Sequence, residues 1–282
     1  MLVFSALVAG SFSLGNRVAN DIDPAALNFV RFVLAIALLS VVLAWRRPAI
    51  GPAFQAPWRY LVLGALFATY FILMFEGLKT APATQAAAVF TLTPLMSAGF
   101  GYLLLGQRTT PRIALGLGLG GLAAAWVIFR ADLSAFLAFE VGRGEMIYFV
   151  GCVAHALYTP MVPKLNRGES PLVFTLGMMI GALIWIGIYG APALLATQWS
   201  ALPPLVWITI GYTAIFASAA TFTLLQYASL RIPSSKVMAY TYLTPSWVLL
   251  WELAFGAKAP SLLILSGVLA TVLALFILLK DD

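Results

Sequence analysis

The chain has 282 residues, of which 62% belong to the AVILMFWYC class and 9% are charged. A soluble globular chain averages about 25% charged residues, so a mostly wet surface is excluded. The formal charge of +6 comes from bases scattered singly between apolar runs, which suit membrane-side anchoring rather than nucleic-acid binding.

About twenty apolar residues in a row cross a bilayer as a helix. Ten such segments are predicted, at about 2–19, 25–45, 58–77, 82–106, 111–129, 144–163, 171–196, 204–229, 233–257 and 260–280. The fold class expected is an all-α integral membrane protein, because lipid cannot satisfy free backbone groups and no segment alternates like a barrel strand. The first run holds Asn16 and Arg17 and lacks a convincing small-residue cleavage site, so it is expected to be retained as a helix. Pro24, Pro57, Pro82, Pro111, Pro171, Pro204, Pro233 and Pro260 lie at or just before predicted helix starts, where a missing N–H costs little.

The fourth and ninth segments repeat one another. Pro82, Leu92, Thr93 and Pro94 recur at one constant offset as Pro233, Leu243, Thr244 and Pro245. The same register matches Ala88 with Ala239, Ile113 with Ile264, Gly116 with Gly267 and Leu122 with Leu273. A duplicated unit follows. The polar stretch containing Arg130, Asp132, Glu140 and Arg143 divides the chain into five-helix halves, 1–137 and 138–282. An odd number of crossings per half makes the two repeats inverted, with a solute site expected near the midplane at their interface. With both termini cytoplasmic, Arg46, Arg47, Arg59, Arg108, Arg112, Lys164, Arg167, Arg231, Lys236 and Lys280 fall inside. Arg17, Lys79, Arg130, Arg143 and Lys258 then fall outside, a bias that favours this orientation.

Candidate site residues follow from polar groups inside these spans. Pro94 and Pro245 lie mid-span and are expected to bend their helices, either as static kinks or as paired gating hinges. Gln85, Val89 and Thr93 share a face, and their repeat partners are Lys236, Tyr240 and Thr244. Gln85 and Lys236 equally suit snorkelling toward opposite membrane surfaces. His155 shares a face with Tyr148, Cys152 and Thr159, and either lines a cavity or bonds between helices. Tyr70, Tyr227 and Tyr240 add mid-span rings with polar tips, suited to an amphipathic solute. Glu252 invites a proton-coupling role or an ion pair with Lys258 or Arg31. Arg31 itself suits an ion pair or a carbonyl contact. Gly116, Gly118, Gly120 and Gly121 in the fifth span permit close helix approach, within one chain or at a homodimer seam.

One cysteine and one histidine leave no disulfide framework, no HExxH zinc motif and no nucleophile–base set, so neither an enzyme nor a cofactor is expected. No repeated ring of polar filter residues suggests a channel.

The ten spans, the Leu-Thr-Pro helix, the Gly106-Gln107-Arg108 turn and the Gly-rich span after it resemble the EamA branch of the drug/metabolite transporter superfamily. The likeness is clearest at 78–128 and 230–279. Relatives usually carry a Gly-Glu-Arg-like turn where this chain has Gly106-Gln107-Arg108 and Ala257-Lys258-Ala259, and Arg31 matches an arginine common in the second span. Within the family the chain looks most like the YddG-type exporters of aromatic and other amino acids. The resemblance implies export of small amphipathic metabolites across a bacterial inner membrane by alternating access, with the lipid bilayer as surroundings and no nucleic-acid partner. A facilitator is favoured, since no acidic relay is apparent. The alternative is a proton-coupled drug/metabolite antiporter working through Glu252 or His155.

Overall fold

The computed structural model describes residues 1–138 and 140–280, and every regular element among them is helical. Chain order gives α1 (Leu2–Val18), α2 (Pro24–Arg46), α3 (Trp58–Leu78), α4 (Ala83–Phe90), α5 (Thr93–Leu105), α6 (Pro111–Ile128) and α7 (Leu133–Leu137). There follow α8 (Arg143–Leu165), α9 (Pro171–Ala196), α10 (Pro204–Ala214), α11 (Thr221–Ser229), α12 (Ser234–Ala239), α13 (Thr244–Ala254) and α14 (Leu262–Leu279).

The helix starts have local causes. Asp23 accepts a hydrogen bond from the Ala25 N–H (2.7 Å) ahead of α2, with Pro24 at the first helical position. Thr110 caps α6 and Ser170 caps α9 in the same way, each followed by proline. Side-chain oxygens thereby satisfy amides that have no intrahelical partner.

Among the described residues, eight helical segments are long and apolar enough to cross a membrane, counting 83–105 and 204–229 each as one. The first and ninth of the ten expected segments fall outside that set. The α1 helix has 17 residues, a rise of roughly 26 Å. The ninth expected span is cut into α12, a 3₁₀ turn at Tyr240–Leu243, and α13. The fourth is likewise cut, between Phe90 and Thr93. The sequence predicts that Pro94 and Pro245 bend continuous helices; each instead follows a break. Each sits in the first turn of a new helix, where its missing N–H leaves no bond unmade.

Helix 204–229 holds a further irregularity, a π-helical stretch at Ile215–Ala220 joining α10 to α11. It lies among small residues (Ala217, Ser218, Ala219, Ala220), and no proline marks it in the sequence.

Packing pairs the elements in a regular way. The α2 helix lies on α9 and α6 on α14, while α3 meets α8 and α9 much as α10–α11 meets α1 and α2. Part of the glycine stripe on α6 is used within the chain. A Cβ on Gly120 would collide with the Tyr242 ring, and one on Gly116 would come 2.8 Å from Leu278 of α14. Gly118 faces open space.

Candidate functional site

Rings from α3, α4, α8 and α11 meet at the centre of the bundle. Phe67, Tyr70, Phe71 and Met74 fall at i, i+3, i+4 and i+7 on α3, one inward face of a helix. Phe67 is the hub. Its ring centroid lies 3.9 Å from that of Tyr158, 4.8 Å from Phe222, and 5.5 Å from both Phe71 and His155. His155 stacks on Phe67, lies 4.4 Å from Tyr70 and meets Phe90 edge-on at 5.4 Å. Such ring pairs contribute about 0.5–1.5 kcal/mol each beyond their buried area.

The polar tips are arranged around this cage. Tyr70 and Tyr148 share a hydroxyl–hydroxyl hydrogen bond of 3.0 Å, and Gln226 Nε2 donates to the Tyr158 hydroxyl at 2.6 Å. Phe4, Val8, Ser11, Tyr70, Phe71, Met74, Phe90, His155, Ala217, Thr221, Phe222 and Leu225 enclose a cavity of only about 10 Å³. That is room for roughly one water, so the centre is closed. Two buried polar atoms on this wall, His155 Nδ1 and Thr221 Oγ1, have no hydrogen-bond partner among the described residues.

The sequence-derived site residues divide by position. His155 and Tyr70 line the cavity, and Thr159 lies one turn on, donating to the His155 carbonyl at 3.3 Å. Thr93 and Thr244 stand at the two helix breaks. Thr93 Oγ1 donates to the Phe90 carbonyl (2.6 Å) and lies 3.4 Å from Thr241 Oγ1, so the broken helices touch there. Thr244 Oγ1 is buried and bonds to nothing among the described residues. Gln85 is half-buried with its Oε1 unpartnered, and Tyr240 is half-buried against the cluster around Tyr242 and Leu117. Tyr227 stands outside the cage: it is 52% exposed, and the Arg231 guanidinium stacks 3.6 Å above its ring.

The two charged candidates also find unexpected partners. Glu252 pairs with neither Lys258 nor Arg31, as expected from sequence, but with Arg17 of α1 through a two-armed contact at 2.9 and 3.2 Å. Packing of α1 along α13 brings the two together. Arg31 is buried against the π-helical stretch, where it donates to the Ala217 carbonyl and the Ser218 hydroxyl, each at 2.7 Å. Of the two alternatives expected for Arg31, the carbonyl contact is present, and it makes no ion pair among the described residues.

Sequence reading missed Phe67, Phe71, Phe90 and Phe222, although the helical spacing on α3 was a usable signal. It also missed Arg59–Glu169 (2.6 Å), buried on both sides, which ties the start of α3 to the α8–α9 loop. Burial pushes the Glu169 carboxyl up. Hydrogen bonds from Arg59, from the Arg167 backbone N–H and from Tyr60 outweigh it, and the carboxyl is held below its usual range.

Apolar helices of membrane length around a closed aromatic centre define a multi-pass membrane protein. The model of the EamA-like transporter family matches residues 1–129 and again 142–280, and the chain belongs to that family. It is thus a transporter of the EamA type. It is similar to "Uncharacterized transporter YyaM" of Bacillus subtilis (strain 168), 24% identical over 282 residues, covering 95% of this chain and 89% of that protein. An "Uncharacterized transporter" of Archaeoglobus fulgidus is 23% identical over 276 residues, covering 95% of this chain and 92% of the other. A solved structure described as "Crystal structure of protein" superposes with a TM-score of 0.75 at 18% identity, covering 99% of this chain and 96% of that one. That likeness bears on the fold alone.

Proposed function

We propose that the protein exports amino acids with aromatic or other apolar side chains, and related small amphipathic metabolites, by alternating access and as a facilitator. The observation that carries this reading is the central cage, where rings of Phe67, Tyr70, Phe90 and Tyr158 surround His155 and Phe222 meets Phe67 edge-on. Ring faces match an apolar side chain, and the sparse hydroxyl and imidazole groups fix its polar end. Glu252 is engaged with Arg17 near the far end of α13, which supports a facilitator over a proton relay.

The same reading takes the membrane fold as ten crossings in two inverted five-helix repeats, 1–137 and 138–282, with both termini cytoplasmic in a bacterial inner membrane. The repeated Leu-Thr-Pro register, the double family match and the paired helix packing support the repeat. In this frame Pro94 and Pro245 sit at the centre of two broken helices of opposite direction. Broken helices at a repeat interface are where transporters bind their solutes.

An efflux screen of amino acids from liposomes tests the assignment. Wild-type protein should favour tryptophan, phenylalanine and leucine over aspartate and lysine. His155→Ala should slow the favoured solutes about tenfold or more, the scale of losing one buried contact of 1.4 kcal/mol. Equal rates for all amino acids, or full activity in His155→Ala, would remove the cage from the account.

A further inference from the structure

The α2 helix carries a guanidinium to the centre of the molecule and gives it no opposite charge. Arg31 is fully buried, and its hydrogen bonds all go to neutral acceptors: Ser218 Oγ, the Ala217 carbonyl and, at 3.3 Å, Asn28 Oδ1. It makes no ion pair among the described residues. Its other close neighbours are ring faces, with the guanidinium carbon 4.1 Å from the Phe71 centroid and 5.9 Å from those of Phe32 and Phe222. These bonds occupy three of the five N–H donors of an arginine, so two remain for another acceptor. A charge in a membrane interior is costly, and its usual compensation is a partner of opposite sign.

The space such a partner would enter is adjacent. Phe71, Ala217 and Phe222, all in contact with Arg31, are also walls of the central cavity. Arg31 therefore stands directly behind the cavity lining on the α2 side. The segment between them is the π-helical stretch that contributes Ala217 and Ser218, and π-bulges in helices concentrate at functional sites. The same cavity wall holds Thr221 Oγ1 and His155 Nδ1, both buried and both without a partner among the described residues. A buried polar atom left unmatched requires an explanation, and here two of them share a cavity with an uncompensated cation behind its wall.

We propose that Arg31 is the carboxylate anchor of the transported solute. The guanidinium takes the carboxylate through its planar fork, Thr221 adds a hydroxyl donor, His155 Nδ1 faces the solute's polar end, and the apolar side chain lies among the rings. An arginine fork matches a carboxylate in two parallel hydrogen bonds, a geometry a lysine cannot reproduce. The inference rests on the export reading above and narrows it: the solute must be an acid.

The test compares tryptophan with tryptophan amide, which keeps the ring and the amine and lacks the carboxylate, in efflux from loaded proteoliposomes. Wild-type protein should move the acid faster by about tenfold or more, the scale of one charge-assisted contact. Arg31→Gln should bring the two rates within about twofold by slowing the acid alone, and Arg31→Lys should retain part of the preference. Melting temperatures of both variants identify any that fail to fold, and the wild-type comparison needs no variant. Equal rates for acid and amide in the wild type would overturn the anchor while leaving amino-acid export standing. So would an Arg31→Gln variant that folds and slows both compounds by one common factor. Failure of the wild type to move either compound would take down the export reading and the anchor together.

Discussion

The two ends of the bundle are fastened differently. At the end holding the starts of α3 and α9, Arg59 and Glu169 form a salt bridge whose side chains are 1% and 0% exposed. Arg59 also donates to the Leu165 and Ala56 carbonyls, and Tyr60 donates to the same carboxylate. At that end too, Gln107 accepts a hydrogen bond from the Ser234 N–H (3.1 Å), fastening the turn after α5 to the start of α12. At the opposite end the ion pair between helices is Arg17–Glu252, with side chains 27% and 20% exposed, and Glu76–Lys79 pairs at the end of α3. Asn16 reaches the Leu78 and Ala81 carbonyls beside it, at 2.9 and 3.0 Å. One end is thus locked by a desolvated, multiply bonded pair, and the other by a pair in contact with water. Opening is cheaper at the Arg17–Glu252 end: water can take over the bonds of that pair, and cannot reach those of Arg59 without unpacking the end.

The largest expected effect comes from Arg59→Met, which leaves the Glu169 carboxylate buried without its cation. It should destabilise the protein by about 3–5 kcal/mol, seen as a lower melting temperature in detergent. Next is acid sensitivity. The folded carboxyl of Glu169 is depressed, so its stabilisation is complete above the unfolded value of about 4.3 and disappears as pH falls through the folded value. Wild-type stability should therefore fall more steeply below about pH 4 than that of Glu169→Gln. Removing in Thr271→Val the hydroxyl that lies 2.8 Å from the Tyr242 carbonyl at the second helix break and 2.7 Å from the Val268 carbonyl should cost about 1 kcal/mol. The smallest change belongs to Arg17→Gln, at about 1 kcal/mol or less, because the pair is partly solvated. Equal losses for Arg17→Gln and Arg59→Met would erase the difference between the ends.

The two helix breaks carry a smaller version of the same contrast. In the first, Thr91 and Thr93 return hydrogen bonds of 2.6 Å to the Ala88 and Phe90 carbonyls, so the break satisfies itself. In the second, the Thr271 hydroxyl of α14 is shared between the Tyr242 carbonyl (2.8 Å) and the Val268 carbonyl of its own helix (2.7 Å), and Thr244 Oγ1 bonds to nothing among the described residues.

Much of the fold was readable because its signals are local. Apolar runs, helix-opening prolines and the repeated Leu-Thr-Pro register each depend on a short stretch of chain. His155 and Tyr70 were found as polar groups in apolar helices, which is costly enough to stand out. The long-range partners of Arg17, Arg31 and Arg59 (Glu252, Ala217–Ser218 and Glu169) were not readable, because each is distant in sequence and its geometry is set by packing. Nor was the π-helical stretch, which no residue type announces. The breaks at Pro94 and Pro245 were half legible: proline marks the position, while only the surrounding carbonyls determine whether the helix bends or stops.

Efflux of tryptophan from loaded proteoliposomes, with and without an imposed pH gradient, separates a facilitator from a proton-coupled carrier. A facilitator built on the central cage should release the amino acid down its own gradient at the same rate in both conditions, and His155→Ala should slow it in both. Efflux that occurs only when a proton gradient is imposed would contradict the account and move the coupling to a titrating side chain.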